Sequence, residues 1–155
     1  LGISYRFVII GDGGASLSLK KAIQRENICN VEIVSPVSRS ELIKYYITAD
    51  IMFLHLNNIP AFRRVLPSKI FEYAALRKPI VAGLSGYSAQ FLRDHVPYAF
   101  LFNPGDSKAA ASCIFEAVDS KVPEETVTKF VTMYSRSSIM DRMVNQLINI
   151  MELSV

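Results

Sequence analysis

Several features that define whole classes of protein are scarce in this chain or missing from it. The 155 residues include no tryptophan and only two cysteines, Cys29 and Cys113, whose separation fits neither a metal site nor a redox pair. We therefore expect free thiols in a reducing compartment. The formal net charge is +3 and the basic residues are scattered, so nucleic acid is not an expected partner. No apolar run approaches the length of a membrane span.

Familiar catalytic motifs are also missing. The chain has no Gly-x-Ser-x-Gly elbow, no phosphate loop ending in Gly-Lys-Ser/Thr, and no cluster of cysteine and histidine. Hydrolase and nucleoside triphosphatase functions therefore lose support. No paired Asp-x-Asp acids are present either, so we expect no metal site.

What the chain does contain is a regular alternation of apolar strands and helices. Half of its residues are hydrophobic and a fifth are charged, which is typical of a globular protein. Five strands are predicted, at residues 5–10, 31–34, 51–56, 80–83 and 98–102. This pattern predicts an α/β fold, a Rossmann-like doubly wound parallel sheet of about five strands with helices on both faces. We expect residues 1–122 to form this domain and residues 123–155 to be its C-terminal helical extension.

Local signals define several helix ends. Ser38 and Glu41, three residues apart, predict a capping box. Asp106 is expected to cap the helix that begins at Ser107. The last helical region is expected to break near residues 135–138.

Ligands of such sheets bind at the carboxyl ends of the strands. Gly11 and Gly13 follow the first strand, where glycine lets a backbone approach a ligand closely. The third glycine of the dinucleotide fingerprint is missing, so an ordinary tight turn is an equally good interpretation. His55 ends the third strand, and either contacts a sugar or phosphate or is a packed, hydrogen-bonded side chain.

The most informative segment is residues 66–83. Pro67 and Ser68 are helix start signals. The apolar face of the predicted helix comprises Ile70, Phe71, Ala74 and Ala75. Lys69 beside a helix N-terminus favours an anion, and the two oxygens of Glu72 can accept hydrogen bonds from a sugar diol. Phosphate and diol together indicate a nucleotide, whereas the alternative is an ordinary amphipathic helix with a solvated glutamate.

Two further cations, Arg63 and Arg64, lie in a predicted irregular loop, residues 57–66. They either neutralise phosphate or are solvated loop charges.

Five segments, in this order, resemble the C-terminal, donor-binding domain of GT-B fold glycosyltransferases, glycosyltransferase family 4 (group 1). They are the Gly-Asp-Gly turn at residues 11–13, Asn-Val at 30–31 with Ser-Pro-Val-Ser at 35–38, Ala-Asp-Ile at 49–51, the Pro-Ser-Lys-Ile-Phe-Glu block that starts at 67, and Asn-Pro-Gly-Asp at 103–106. The block that starts at 67 is the most specific. The resemblance covers roughly residues 6–119.

The resemblance implies transfer of a sugar from a nucleoside diphosphate sugar, usually uridine-linked, with retention of configuration and without a metal or other cofactor. Glu72 matches the glutamate that holds the ribose, and Pro67, Ser68 and Lys69 match the junction beside the diphosphate. Val37 matches a position near the base. Arg64 stands where relatives have a glutamate that contacts the donor sugar, so the identity of the sugar is left open.

The resemblance also implies partners and a location. The acceptor is a polysaccharide or a glycolipid, often polyprenyl-linked, and the enzyme is cytoplasmic or peripheral at the inner membrane face. An N-terminal acceptor-binding domain is expected outside this chain, so the chain alone is not expected to be active. Two alternatives stay open: a non-catalytic, flavodoxin-like regulatory or interaction domain, and half of a sugar-nucleotide epimerase.

Overall fold

The computed structural model describes residues 4–152, which form two compact units divided after Thr48. The elements of the first unit are β1 (Phe7–Ile10), α1 (Ser16–Arg25), β2 (Val31–Val34) and α2 (Arg39–Thr48). The two strands pair in parallel, from Phe7 opposite Val31 to Ile10 opposite Val34. Parallel neighbours need a crossover connection, and α1 supplies it.

The capping box predicted at the start of α2 is present. The Ser38 hydroxyl donates to Glu41 Oε2 at 2.7 Å, and the Ser38 backbone N–H donates to the same oxygen at 3.1 Å. The Glu41 N–H donates back to the Ser38 hydroxyl at 3.3 Å. These hydrogen bonds hold the pKa of Glu41 below its ordinary value, with the side-chain bond as the largest cause.

The second unit contains the remaining three strands. Its elements are β3 (Met52–His55), a 3₁₀ helix (Pro60–Arg64), α3 (Lys69–Ala74), β4 (Ile80–Gly83), α4 (Tyr87–His95), β5 (Ala99–Phe102), α5 (Ser107–Val118), α6 (Glu124–Tyr134) and α7 (Arg136–Glu152). The strand order is β3-β4-β5 and both pairs are parallel. The predicted α/β, Rossmann-like class is confirmed: all five strands are present, every pair is parallel, and helices flank them.

The central strand of this unit is β4, and all four of its residues are buried. Ile80, Val81 and Ala82 are each 0% exposed. A run that is apolar on both faces is what a parallel strand covered on both sides requires. On one side, Val81 forms a buried cluster with Phe102 of β5 and Ala117 of α5.

Two other predicted helix ends are confirmed. Asp106 caps α5, with its carboxylate accepting from the Ala109 N–H at 2.9 Å. The C-terminal helical region breaks at Ser135, whose backbone is extended between α6 and α7. Val127 and Phe130 bury one face of α6 in the second unit, whereas the predicted division at residue 122 stays a prediction.

Candidate functional site

The carboxyl ends of the three strands in the second unit bring His55, Gly83 and Phe102 side by side. His55 pairs with Gly83 and Gly83 pairs with Phe102 in the parallel register. The His55 and Phe102 rings are stacked, with centroids 6.1 Å apart. A Cβ atom on Gly83 would lie 2.5 Å from His55 Cδ2 and 2.6 Å from the Phe102 ring. The missing side chain of Gly83 therefore makes room for both rings.

His55 is also tied to the loop after β5. The Gly105 N–H donates to His55 Nε2 at 3.2 Å. His55 Nε2 is therefore the acceptor in this bond. His55 is thus packed and hydrogen-bonded, as the second of the two sequence interpretations had it. The ring is still exposed to solvent, so a donor could reach it. The contact between His55 and a donor stays a prediction.

A small polar cavity lies beside this loop, and sequence reasoning did not identify it. Its volume is about 300 Å³, and its polar lining comes from Arg93, Asn103 and Asp106. Arg93 lies on α4, so only the fold brings it next to the residues that follow β5. The sequence carries no motif that pairs these positions.

The segment between β3 and α3 is more ordered than the predicted irregular loop. Residues Pro60–Arg64 form a 3₁₀ helix, with Pro60 in its first turn, where a proline without an N–H is tolerated. Gly86, the residue before α4, has φ +66°, and a Cβ there would lie 2.8 Å from Arg63 Cα. Glycine at this position therefore permits the close approach of the 3₁₀ helix. Arg63 and Arg64 end this helix as exposed side chains.

The start of α3 differs in one respect from the sequence expectation. Ser68 precedes the helix, as predicted, but its backbone is already helical and its side chain makes no capping hydrogen bond. A capping serine normally has an extended backbone that aims its hydroxyl at the helix amides. The Pro67 carbonyl instead accepts from the Ile70 N–H at 3.1 Å, which tightens the first turn. The Ser68 side chain is exposed.

The apolar face of α3 is confirmed for most of its predicted members. Ile70 and Ala74 are 0% exposed, and Phe71 is half-buried. Ala75 was predicted on this face but is exposed, because the helix ends at Ala74 and Ala75 already belongs to the following turn.

The two charged residues of α3 form an ion pair. Lys69 Nζ lies 3.0 Å from Glu72 Oε2, and both side chains are partly exposed, at 41% and 33%. The Glu72 carboxylate is therefore at the surface rather than in the core. Because a helix that follows a strand in a parallel sheet begins near the edge where the strand ends, we expect this pair at the same edge as His55, and its place there stays a prediction.

The other predicted site residues lie in the first unit. Gly11 follows β1 with φ +147°, and its N–H donates to the Val34 carbonyl at 3.0 Å. A Cβ at Gly11 or Gly13 would meet nothing within 4 Å, so the surrounding protein does not require glycine at either position for space. Val37, in the loop that connects β2 to α2, is half-buried.

Two further features are absent from the described residues. No group of three or more His, Cys, Asp or Glu among residues 4–152 could hold a metal ion. No helix in that range combines the length and apolar character that crossing a membrane requires. Both cysteines are free thiols, as predicted, and burial raises the pKa of Cys113.

Comparison with known proteins gives two positive findings. A family model described as glycosyl transferases group 1 matches residues 1–132. Among solved structures, the chain is similar to AviGT4, a glycosyltransferase involved in avilamycin A biosynthesis, with a TM-score of 0.64 and 16% sequence identity. That alignment covers 91% of this chain and 42% of AviGT4, so the chain spans less than half of that protein. No curated protein gives a significant match.

Proposed function

Because the chain belongs to the glycosyl transferases group 1 family, we propose that it is the donor-binding part of an enzyme that transfers a sugar from a nucleoside diphosphate sugar. The observation that carries the proposal is the surface pair of Lys69 and Glu72 on the first turn of α3. The pair offers a cation for phosphate and a carboxylate for ribose within one turn of helix.

The placement of Lys69 supports an anionic ligand. The positive end of the helix dipole is at the N-terminus, where a cation is locally unfavourable. In addition, lysine N-terminal to glutamate is the less stabilising order for such a pair. An exposed residue that is unfavourable for the local helix is often kept because it contributes to a binding site. A diphosphate beside Lys69 would make this arrangement favourable.

The pair itself is no obstacle to binding. Ion pairs between partly exposed side chains contribute roughly 0.2 to 1 kcal/mol. Charge-assisted hydrogen bonds to a ligand are worth roughly 1.5 to 3 kcal/mol each. A nucleotide that takes phosphate contacts from Lys69 and ribose contacts from Glu72 can therefore separate the two side chains at a net gain.

The remaining roles follow the family resemblance. Pro67 and Ser68 are proposed to lie beside the diphosphate, Arg64 beside the donor sugar or the phosphate, and His55 at the rim of the site. Gly11, Gly13 and Val37 stay proposed donor-binding residues on the resemblance alone.

In the proposed reaction, the diphosphate leaves with the electron pair of its bond to the sugar. The bond from the anomeric carbon to the diphosphate oxygen breaks, the acceptor hydroxyl oxygen bonds to that carbon, and the departing diphosphate takes up the hydroxyl proton. Cations and helix amides near the leaving group stabilise the charge that builds on it. We propose that this happens without a metal ion and with retention of configuration, as is common in glycosyltransferase family 4, to which we assign the chain.

We further propose a uridine diphosphate sugar as donor and a polysaccharide or lipid-linked acceptor, within polysaccharide biosynthesis in the cytoplasm or at the inner membrane face. The acceptor would be held by an N-terminal domain outside this chain, so the chain alone should bind donor weakly and transfer nothing. Family membership favours this proposal over a regulatory domain or half of an epimerase.

The test is to titrate the chain calorimetrically with uridine diphosphate, its 2′-deoxy analogue and guanosine diphosphate. If Glu72 accepts from both ribose hydroxyls, the 2′-deoxy analogue should bind about tenfold more weakly to the wild type. That difference should disappear in Glu72→Gln. Glu116→Gln, an exposed carboxylate of α5, is the matched control. Absence of nucleotide binding by a longer protein that includes the chain would reject the proposal.

A further inference from the structure

The helix that carries Glu72 is too short to fix its own orientation. It has six residues, Lys69–Ala74, whereas isolated helices shorter than about 12 residues are marginal in water. Tertiary contacts must therefore decide which way its side chains point.

One set of contacts holds the C-terminal end of this helix, which is the end opposite the predicted site. The Tyr98 hydroxyl donates to the Ala74 carbonyl at 2.5 Å. Arg77, in the turn that follows, donates through Nε to the Val122 carbonyl at 3.2 Å and through Nη1 to Glu124 at 2.7 Å. Because Glu124 is the first residue of α6, these bonds tie α6 to the C-terminal end of α3.

A second set holds the N-terminal turn through Phe71, the neighbour of Glu72. The Phe71 ring centroid is 5.5 Å from Phe91 of α4, 6.1 Å from Phe130 of α6 and 5.7 Å from Tyr134 of α6. Aromatic pairs at such distances attract one another with defined relative geometry. The half-buried Phe71 ring thus packs against two neighbouring helices.

Adjacent residues of a helix are about 100° apart around its axis. Fixing the direction of Phe71 therefore fixes the direction from which Glu72 leaves the helix. From these contacts we infer that Phe130 and Tyr134 are positioning residues, which set the orientation of the Glu72 carboxylate through Phe71 and touch no ligand. The inference rests on the proposed function for its meaning, because Glu72 is the proposed ribose contact.

The cluster extends beyond these rings. Tyr134 also packs against Phe91 at 5.2 Å and His95 at 5.4 Å, and Arg142 of α7 lies over its ring at 6.0 Å. The last residue of α6 therefore connects α3, α4 and α7. Loss of the Tyr134 ring should loosen the N-terminal turn of α3 more than it loosens the strands.

The first test needs no ligand. It compares Tyr134→Leu, which removes the ring, with Tyr134→Phe, which keeps it, and with Thr132→Ala on the exposed side of the same helix. In isotope-labelled chain, the Glu72 side-chain carboxyl carbon and the amides of residues 69–74 should shift in Tyr134→Leu only. Unchanged Glu72 resonances in a folded Tyr134→Leu protein would overturn the inference. If Tyr134→Leu does not fold, Phe71→Leu provides the same comparison from the other side of the contact.

The second test is a double-mutant cycle with uridine diphosphate. Tyr134→Leu should weaken binding about tenfold, and Tyr134→Phe should restore wild-type affinity. Tyr134→Leu should add nothing further in a Glu72→Gln background. An equal loss in both backgrounds would contradict action through Glu72. If neither the wild-type chain nor a longer protein that includes it binds uridine diphosphate, the donor-binding proposal is what fails, and the resonances of Glu72 still decide the positioning role.

Discussion

The hydroxyl of Tyr98 donates a hydrogen bond to the carbonyl oxygen of Ala74, 2.5 Å away, and thereby joins the start of β5 to the last residue of α3. Tyr98 is only 5% exposed. Burial raises the pKa of Tyr98 to about 12. The helix that carries the candidate site is therefore held by a neutral phenol in the interior.

Tyr98→Phe should destabilise the protein at neutral pH by about 1 to 3 kcal/mol, because the buried Ala74 carbonyl loses its donor. Urea denaturation measures this difference. Tyr87→Phe, which removes an exposed hydroxyl, should leave stability unchanged. Equal stabilities of wild type and Tyr98→Phe would show that the hydrogen bond contributes nothing.

The same tyrosine predicts a dependence of stability on alkaline pH. Its folded-state pKa of about 12 lies above the unfolded value of about 10, so its contribution is complete below pH 10 and is lost as pH rises toward 12. The difference between a pKa of about 10 and one of about 12 corresponds to about 2 to 3 kcal/mol of folding free energy. Between pH 10 and 12 the wild type should lose stability faster than Tyr98→Phe. Parallel curves for the two proteins would contradict this assignment.

Gly83→Ala should cost about 1 to 3 kcal/mol, because the added methyl group would overlap the His55 and Phe102 rings above β4. Thermal or urea unfolding measures the cost. Gly13→Ala is the matched control, because its Cβ would meet nothing within 4 Å. If Gly83→Ala were as stable as Gly13→Ala, the two rings would have to move aside freely.

Ser38→Ala should raise the pKa of Glu41 toward its ordinary value, because the hydroxyl that donates at 2.7 Å is the largest cause of the lowered pKa. A lowered folded-state pKa stabilises the protein above the unfolded pKa, and this is lost as pH falls through the folded value. The stability difference between wild type and Ser38→Ala should therefore shrink in acid. Carboxyl resonances report the titration, and Thr48→Ala, at the far end of α2, should leave it unchanged.

Local signals were sufficient for most of the fold. The apolar run at Ile80–Gly83 predicted a buried parallel strand with its exact bounds, because covering both faces requires apolar residues at consecutive positions. The capping pair of Ser38 and Glu41, and Asp106 before α5, were predicted from spacing because helix caps form between neighbours in sequence.

Contacts between distant segments were not predictable in this way. Periodicity identified Phe71 as part of an apolar face, but not that its neighbours would be Phe130 and Tyr134. The bond between Gly105 and His55, and the space that Gly83 leaves for two rings, depend on strand register. The strands that lead to the candidate site were therefore predictable from the sequence, whereas the hydrogen bonds and ring contacts at their ends were not.

The last prediction distinguishes the role of Lys69 from that of Glu72, the two charged residues of α3. Lys69→Met removes the ammonium group but keeps a long side chain, and stability should change by less than about 1 kcal/mol because the ion pair with Glu72 is partly exposed. If Lys69 contacts the diphosphate, affinity for uridine diphosphate should fall by at least about tenfold. Affinity for uridine, which has no phosphate, should stay the same or rise, since Glu72 is released from Lys69. Lys129→Met, an exposed cation of α6, should change neither affinity. An equal loss for uridine and its diphosphate would mean that Lys69 serves only to orient Glu72.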